Sequence, residues 1–309
     1  MRYKYVIILS IVAFAAVLCS PTPAFAVILN TAEDFAVLGH ETVTNTGSST
    51  VDGDLGLTPG PSVVGFAIPP ANTLVEGAGS TGLIDGPGLV TGTIRIRDGV
   101  AGLAQTDATA AWTGLKNMSF TSDLTGQDLG GLTLTSGVYH FDTSAQLTGP
   151  LTLDAQGLDN AFWAFQIGST LTTASSSSVA LINPGSNNGV FWQVGSSATL
   201  GTGTSFIGNI LAHESVSLTT GADILCGRAF ALTGAVTMDT NDISAICGEG
   251  TEGSSRGFSG GLEFDETGEV VPLPSQGGPV VPEPATMLLF GLGGVAAAFT
   301  SKTRRIHLS

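Results

Sequence analysis

The side chains with the most organised chemistry in this sequence are hydroxyls. Four related phrases carry them: Thr170-Leu171-Thr172-Thr173-Ala174, Thr199-Leu200-Gly201-Thr202-Gly203, Ser217-Leu218-Thr219-Thr220-Gly221 and Thr237-Met238-Asp239-Thr240-Asn241, at intervals of 18 to 29 residues. A threonine hydroxyl both donates and accepts hydrogen bonds, while its methyl is poorly hydrated, so a fixed row of threonines holds water in an ordered layer. Stiffness in the row keeps the ordering cost low. Such a row suits a ligand that is itself regular. Other reactive groups are sparse. His40, His140 and His213 are scattered, and Asp223 with Arg228 is the one suggestive pair in the repeat region, read here as a surface ion pair or a turn contact. Asp52-Gly53-Asp54 lacks further acidic ligands in phase for calcium and reads as a turn. Zinc spacings, a phosphate loop and a nucleophile elbow are all missing from the sequence. The sequence therefore assigns no catalytic residue, no metal ligand and no cofactor.

The elements that would position these hydroxyls follow from the recurrence. A phrase repeating at this period is the signature of a solenoid, whose coils bury their apolar faces only against one another. Leu171, Leu200, Leu218 and Met238 would point inward and the flanking small or polar residues outward. Stacked coils would then align the hydroxyls in columns about 4.7–4.9 Å apart. Composition agrees: of 309 residues 43 are glycine and only 11% are charged, which fits an all-β chain rich in turns. A net charge of −15 with no cluster of Lys and Arg excludes nucleic acid as a partner.

One segment departs from the β pattern. From Asp98 to about Lys116 the residues Ala101, Leu103, Ala104, Ala108, Ala111, Trp112 and Leu115 approximate a helical apolar stripe. Phe162–Phe165, Val190–Trp192, Ile207–Ala212 and Ala229–Leu232 are apolar on both alternating faces, as for strands covered on both sides. The helix of residues 98–116 is placed over them. Cys226 and Cys247 follow Thr220 and Thr240 by six and seven residues, so equivalent positions on adjacent coils predict a disulfide in an exported chain.

Both ends differ from the middle. Arg2 and Lys4 precede an apolar run that closes at Ala24-Phe25-Ala26, which fits a secretory signal peptide over residues 1–26, cleaved before Val27. The β-helix domain is expected over 27–247. Residues 248–280, rich in Gly, Ser, Pro and acid, read as a flexible linker. Then come Pro282-Glu283-Pro284 within 281–305, a short apolar run over 285–300 and Lys302, Arg304 and Arg305. This tripartite tail resembles the PEP-CTERM protein-sorting signal. The resemblance implies an exosortase-type processing protease as a partner, and an exported protein held transiently at the membrane before release to the cell surface or matrix.

The wording of the middle is also familiar. Asp123–Leu134, Ser136-Gly137-Val138-Tyr139, Phe165-Gln166-Ile167, Phe191-Trp192-Gln193-Val194, Gly208–Ala212 and Gly227-Arg228-Ala229 resemble the ice-binding-like β-solenoid family, over about Leu29 to Cys247. The resemblance implies an all-β fold, a discontinuous right-handed parallel β-helix with one α-helix along its side. It also implies a flat face with repeats of the Thr-Ala/Gly-x-Thr/Asn type. The matching positions are Thr173–Ser176, Thr202–Ser205, Thr220–Asp223 and Thr240–Ile243, whose fourth residues depart from the pattern. The expected ice-binding face comprises Thr170, Thr173, Ser176, Thr199, Thr202, Thr204, Ser205, Ser217, Thr220, Thr237 and Thr240, with ice or ordered water as the ligand. The alternative is a non-enzymatic surface or matrix module that binds an exopolysaccharide or a protein.

Overall fold

Turn residues stop each apolar alternation after a few positions, so the chain folds as many short strands. The computed structural model describes residues 26–247 and 256–275. Over most of these residues the strands stack in parallel as three faces of a β-helix. Face 1 is built, in spatial order, from Ala145–Leu147, Leu171–Thr173, Ala198–Leu200, Val216–Leu218, Val236–Asp239, Val43–Thr46, Ser62–Phe66 and the first residues of Gly82–Val90. Face 2 follows each of these strands around the next corner, from Thr133–Thr135 through Pro150–Asp154 and Ser178–Ile182 to Asp242–Ser244 and Thr50–Asp52. Face 3 runs from Ser122–Asp123 through Gly137–Phe141, Phe162–Ile167 and Gly189–Val194 to Phe35–Gly39, Asp54–Leu57 and Thr93–Ile96.

Spatial order and chain order differ. The last coil of the repeat region, Val236–Asp239 with Asp242–Ser244, pairs with Val43–Thr46 and Thr50–Asp52 of the first coil. The chain thus begins mid-stack, builds one end, and crosses to the other end before winding back. The helix α1 (Gly99–Asn117) makes that crossing. Its 19 residues rise about 28 Å at 1.5 Å each, and residues 118–121, extended at about 3.3 Å each, add about 13 Å. On face 3, eight steps separate Thr93–Ile96 from Ser122–Asp123, or about 38 Å at strand spacing. The helix is as long as the stack requires.

Asp98 caps α1 by accepting from the Ala101 N–H at 2.7 Å. The buried stripe of α1 is mostly alanine: Ala101, Ala104, Ala108 and Ala111, with Leu115. Small residues let the helix lie close on Leu38, Val138, Ala164, Phe191, Leu211 and Phe230 of face 3, which form one buried cluster with it. Polar residues lock the contact. Gln166 donates to the Leu115 and Met118 carbonyls at 2.8 and 2.7 Å, satisfying the end of the helix from the sheet. Trp112 Nε1 donates to the Val194 carbonyl at 3.0 Å. Inside the coil, the Phe165 and Trp192 rings stack at 3.9 Å.

Two expectations need correction. Residues 256–275 are not structureless linker. Phe258, Ser259, Leu262 and Val270 are buried, and Leu262–Phe264 pairs antiparallel with both Val270–Pro272 and Ala26–Val27. Arg228 is the second correction, because it is fully buried rather than a surface partner of Asp223. Its guanidinium donates to the Glu33 and Gly257 carbonyls and to Asn209 Oδ1, joining the first turn, the repeat and this C-terminal strap. Charge-assisted donors satisfy several carbonyls at once, so the sequence signal of a lone Arg conceals a hub. Cys226 and Cys247 are joined, with Cα atoms 4.8 Å apart. Residues 1–25 of the expected signal peptide, the expected linker positions 248–255 and 276–280, and the sorting tail with the segment 285–300 lie outside the described residues. Among the described residues no helix is long and apolar enough to cross a membrane.

Candidate binding face

Face 1 strands are three or four residues long for most of the stack, and their residues alternate inward, outward, inward. Leu171, Ala198, Val216, Val236 and Val43 share the inward register. The next residue of each strand points out, so one column reads Gln146, Thr172, Thr199, Ser217, Thr237, Thr44, Val64 and Ile84. Its centre is five consecutive hydroxyl residues at parallel-strand spacing, about 4.8 Å apart. Thr237 donates to Ser217 Oγ at 3.1 Å, so neighbouring hydroxyls are ordered along the column. A second row of hydroxyls stands at the corner before these strands, interrupted by Ala235 between Ser215 and Thr42. Ser144, Thr170, Ser197, Ser215 and Thr42 occupy it, and Thr170 donates to Ser144 Oγ at 2.9 Å.

The register changes the predicted face. Thr199, Ser217 and Thr237 stand on the column, whereas Thr170 stands in the corner column beside Ser144. Thr172 and Thr44 are the coil equivalents that the phrase alignment missed. The misalignment came from equating Leu171 with Leu200. In space Leu171 lies beside Ala198, a small inward residue that carries no sequence signal. Thr173 and Thr204 are buried, at 3% and 1% exposure, and cannot belong to an outer face. Their hydroxyls meet at 2.8 Å inside the corner between faces 1 and 2, and Thr173 Oγ1 also accepts from the Gly201 N–H at 2.9 Å. Ser177, Ser49, Asn45 and Asn241 fill equivalent inner positions, so this corner has a polar lining that satisfies turn backbone.

The remaining predicted residues rim the face or leave it. Ser176 and Thr240 have φ of 60° and 56° and occupy the same left-handed turn position as Gly203 and Gly221. Thr202 and Thr220 precede those glycines at the exposed turn. Thr202 lies 3.3 Å from Thr219 Oγ1, and Thr220 donates to Asp239 Oδ2. Ser205 faces outward on face 2, in register with Ser178 and Asp223.

Charge separates the faces. From Gln146 to Ile84 the outward column of face 1 carries none; Asp128 bridges to Gln146 and ends the column with a carboxylate, while Asp239 stands beside the column on one side and Glu214, held by Ser196 at 2.8 Å, on the other. Asp223 and Asp242 lie on face 2 next to exposed Leu225. Burial pushes the Asp223 carboxyl above its ordinary value; the backbone N–H of Asp242 opposes that rise and the Asp242 charge adds to it. At the first corner, burial raises Asp128 too, but hydrogen bonds from Gly130 and Thr148 outweigh it and hold the carboxyl low. Face 3 is covered by α1 and the C-terminal strap. Between Gln146 and Ile84 face 1 is thus an open, uncharged surface with hydroxyls at its centre, on a stiff support. Among the described residues no group of three or more His, Cys, Asp or Glu is arranged to hold a metal.

Residues 37–244 match the family described as ice-binding-like, and residues 280–305 match the PEP-CTERM protein-sorting motif. An ice-binding protein of Nostoc sp. (strain HG1) is 53% identical over 244 residues, covering 79% of this chain and 83% of its own. The crystal structure of an ice binding protein from an Antarctic biological consortium superposes with a TM-score of 0.61 at 37% identity, covering 72% of this chain and 93% of that one. That of an ice-binding protein from the ascomycete Antarctomyces psychrotrophicus gives 0.59 at 36% identity, with 71% and 97% covered.

Proposed function

The chain belongs to the ice-binding-like family, and from that premise we propose that it is an exported, non-enzymatic ice-binding protein that contacts ice through face 1. The observation that carries this reading is the uncharged column Thr172, Thr199, Ser217, Thr237 and Thr44, flanked by the corner hydroxyls. Such an array pre-orders water at the spacing of the coils. The ordered layer then merges with the surface of a growing crystal, and each threonine methyl excludes a water that a charged side chain would hold. Backbone ladders and a packed interior fix the array beforehand, so little side-chain freedom is lost on contact. The sorting motif at 280–305 supports export and surface delivery, with processing at Pro282-Glu283-Pro284 by an exosortase-type protease.

The test is growth of a single ice crystal in the purified full-length chain beside Thr199→Tyr and Thr237→Tyr, with Thr152→Tyr on face 2 as a control. The wild type and the face 2 variant should shape or arrest the crystal, and the two face 1 variants should not. Shaping that survives both face 1 changes but fails in Thr152→Tyr would move the site to face 2. Unshaped growth in the wild type at high concentration would remove the function, and a surface or matrix module would replace it.

A further inference from the structure

We propose that the binding face extends past its last hydroxyl and that Val64 and Ile84 are contact residues within it. The proposal rests on the reading of face 1 given above. Val64 pairs with Thr44, and Ile84 pairs with Val64, so both continue the outward column without a change of register or spacing. Valine has the branched shape of threonine with a methyl in place of the hydroxyl, so the surface stays level while its chemistry turns apolar. Ile84 is 53% exposed although its strand neighbour Leu83 packs against the core, which makes it a large apolar side chain presented to solvent rather than sheltered. The acids of this end leave the column clear. Asp85 accepts from the Gly86 N–H at 2.9 Å within the bulge that follows Ile84, and Glu76 accepts from Ser80.

The two halves of the column would then divide the work. The hydroxyl half fixes the positions of bound water by hydrogen bonds, and the apolar half contributes surface that is cheaper to cover with ice than with liquid water. A charged side chain on either half would bring its own hydration shell and keep the layer fluid.

The experiment compares thermal hysteresis of the full-length wild-type chain with Val64→Lys, Ile84→Lys and Val64→Thr at equal concentration, with folding checked by circular dichroism and thermal melting. Each Lys variant should lose about half or more of the hysteresis while melting like the wild type, and Val64→Thr should retain it. Ile84→Gln, a milder change at an exposed position, should show the same loss and serves if a Lys variant folds poorly. Full hysteresis in folded Ile84→Lys and Val64→Lys, alongside loss in Thr199→Tyr, would end the face at Thr44 and overturn the inference alone. A wild type without hysteresis would instead remove the ice-binding function itself.

Discussion

A threonine in this chain does one of two jobs, and the direction of its side chain decides which. Thr172 and Thr173 are adjacent, yet the first is exposed and the second buried. Buried Thr173 stabilises the corner by accepting from Gly201 and sharing a bond with Thr204, so its hydroxyl is structural. Thr173→Val should cost about 1–3 kcal/mol, because it leaves the Gly201 N–H without its partner in a dry corner. Denaturant unfolding would register that loss while ice shaping by the folded fraction stays unchanged. A variant that keeps its stability and loses shaping would return Thr173 to the binding face.

At the scale of elements, two segments cover face 3, and only one of them was visible as periodicity. The stripe Ala101, Ala104, Ala108, Ala111 and Leu115 marks α1 because a helix repeats its buried side every three or four residues. The C-terminal strap has no such repeat. It is a 3-10 turn, Arg256–Phe258, and a short hairpin, and its anchors are single buried residues such as Phe258 and Leu262. Phe258 also offers its carbonyl to Asn209 Nδ2 at 2.8 Å, which ties the strap to face 3 through backbone that any residue could supply. Phe258→Ala should destabilise the fold by about 3–5 kcal/mol, the usual cost of removing a buried phenylalanine. Chemical denaturation would measure it, and a change under 1 kcal/mol would mean that the strap adds little to the β-helix.

For the molecule as a whole, stability and function both depend on coils staying in register over the full stack. A solenoid couples only neighbours, so a weak junction anywhere breaks a long flat face into shorter ones. One such junction is where the end of the repeat region meets the first coil, joined by Val236–Asp239 against Val43–Thr46. The Cys226–Cys247 disulfide lies beside it and closes a 21-residue separation. Loop-closure entropy gives such a bridge about 3 kcal/mol. Cys226→Ser with Cys247→Ser should therefore lower the midpoint of unfolding without altering the helical content, and a midpoint equal to that of the wild type would show that the strand pairing alone secures the junction.

Much of this was legible in the residues. Hydroxyl phrases recurring every 18 to 29 residues specified stacked coils, because only repeated units bury such apolar faces against one another. Helical spacing of alanines specified α1, strands apolar on both sides showed which face it covers, and coil-equivalent cysteines specified their bridge. The exact rows on face 1 were not legible. A three-residue strand exposes only its middle residue, so an error of two in matching Leu171 to Leu200 exchanges outward Thr172 for Thr170 without disturbing the inward–outward pattern. Nor could spacing along the chain place Thr44, Val64 and Ile84 beside Thr237, because α1 carries the chain across the stack and brings the two ends of the domain together. Residue pattern determined the coil and its inward side; the pairing of distant coils decided which side chains share a face.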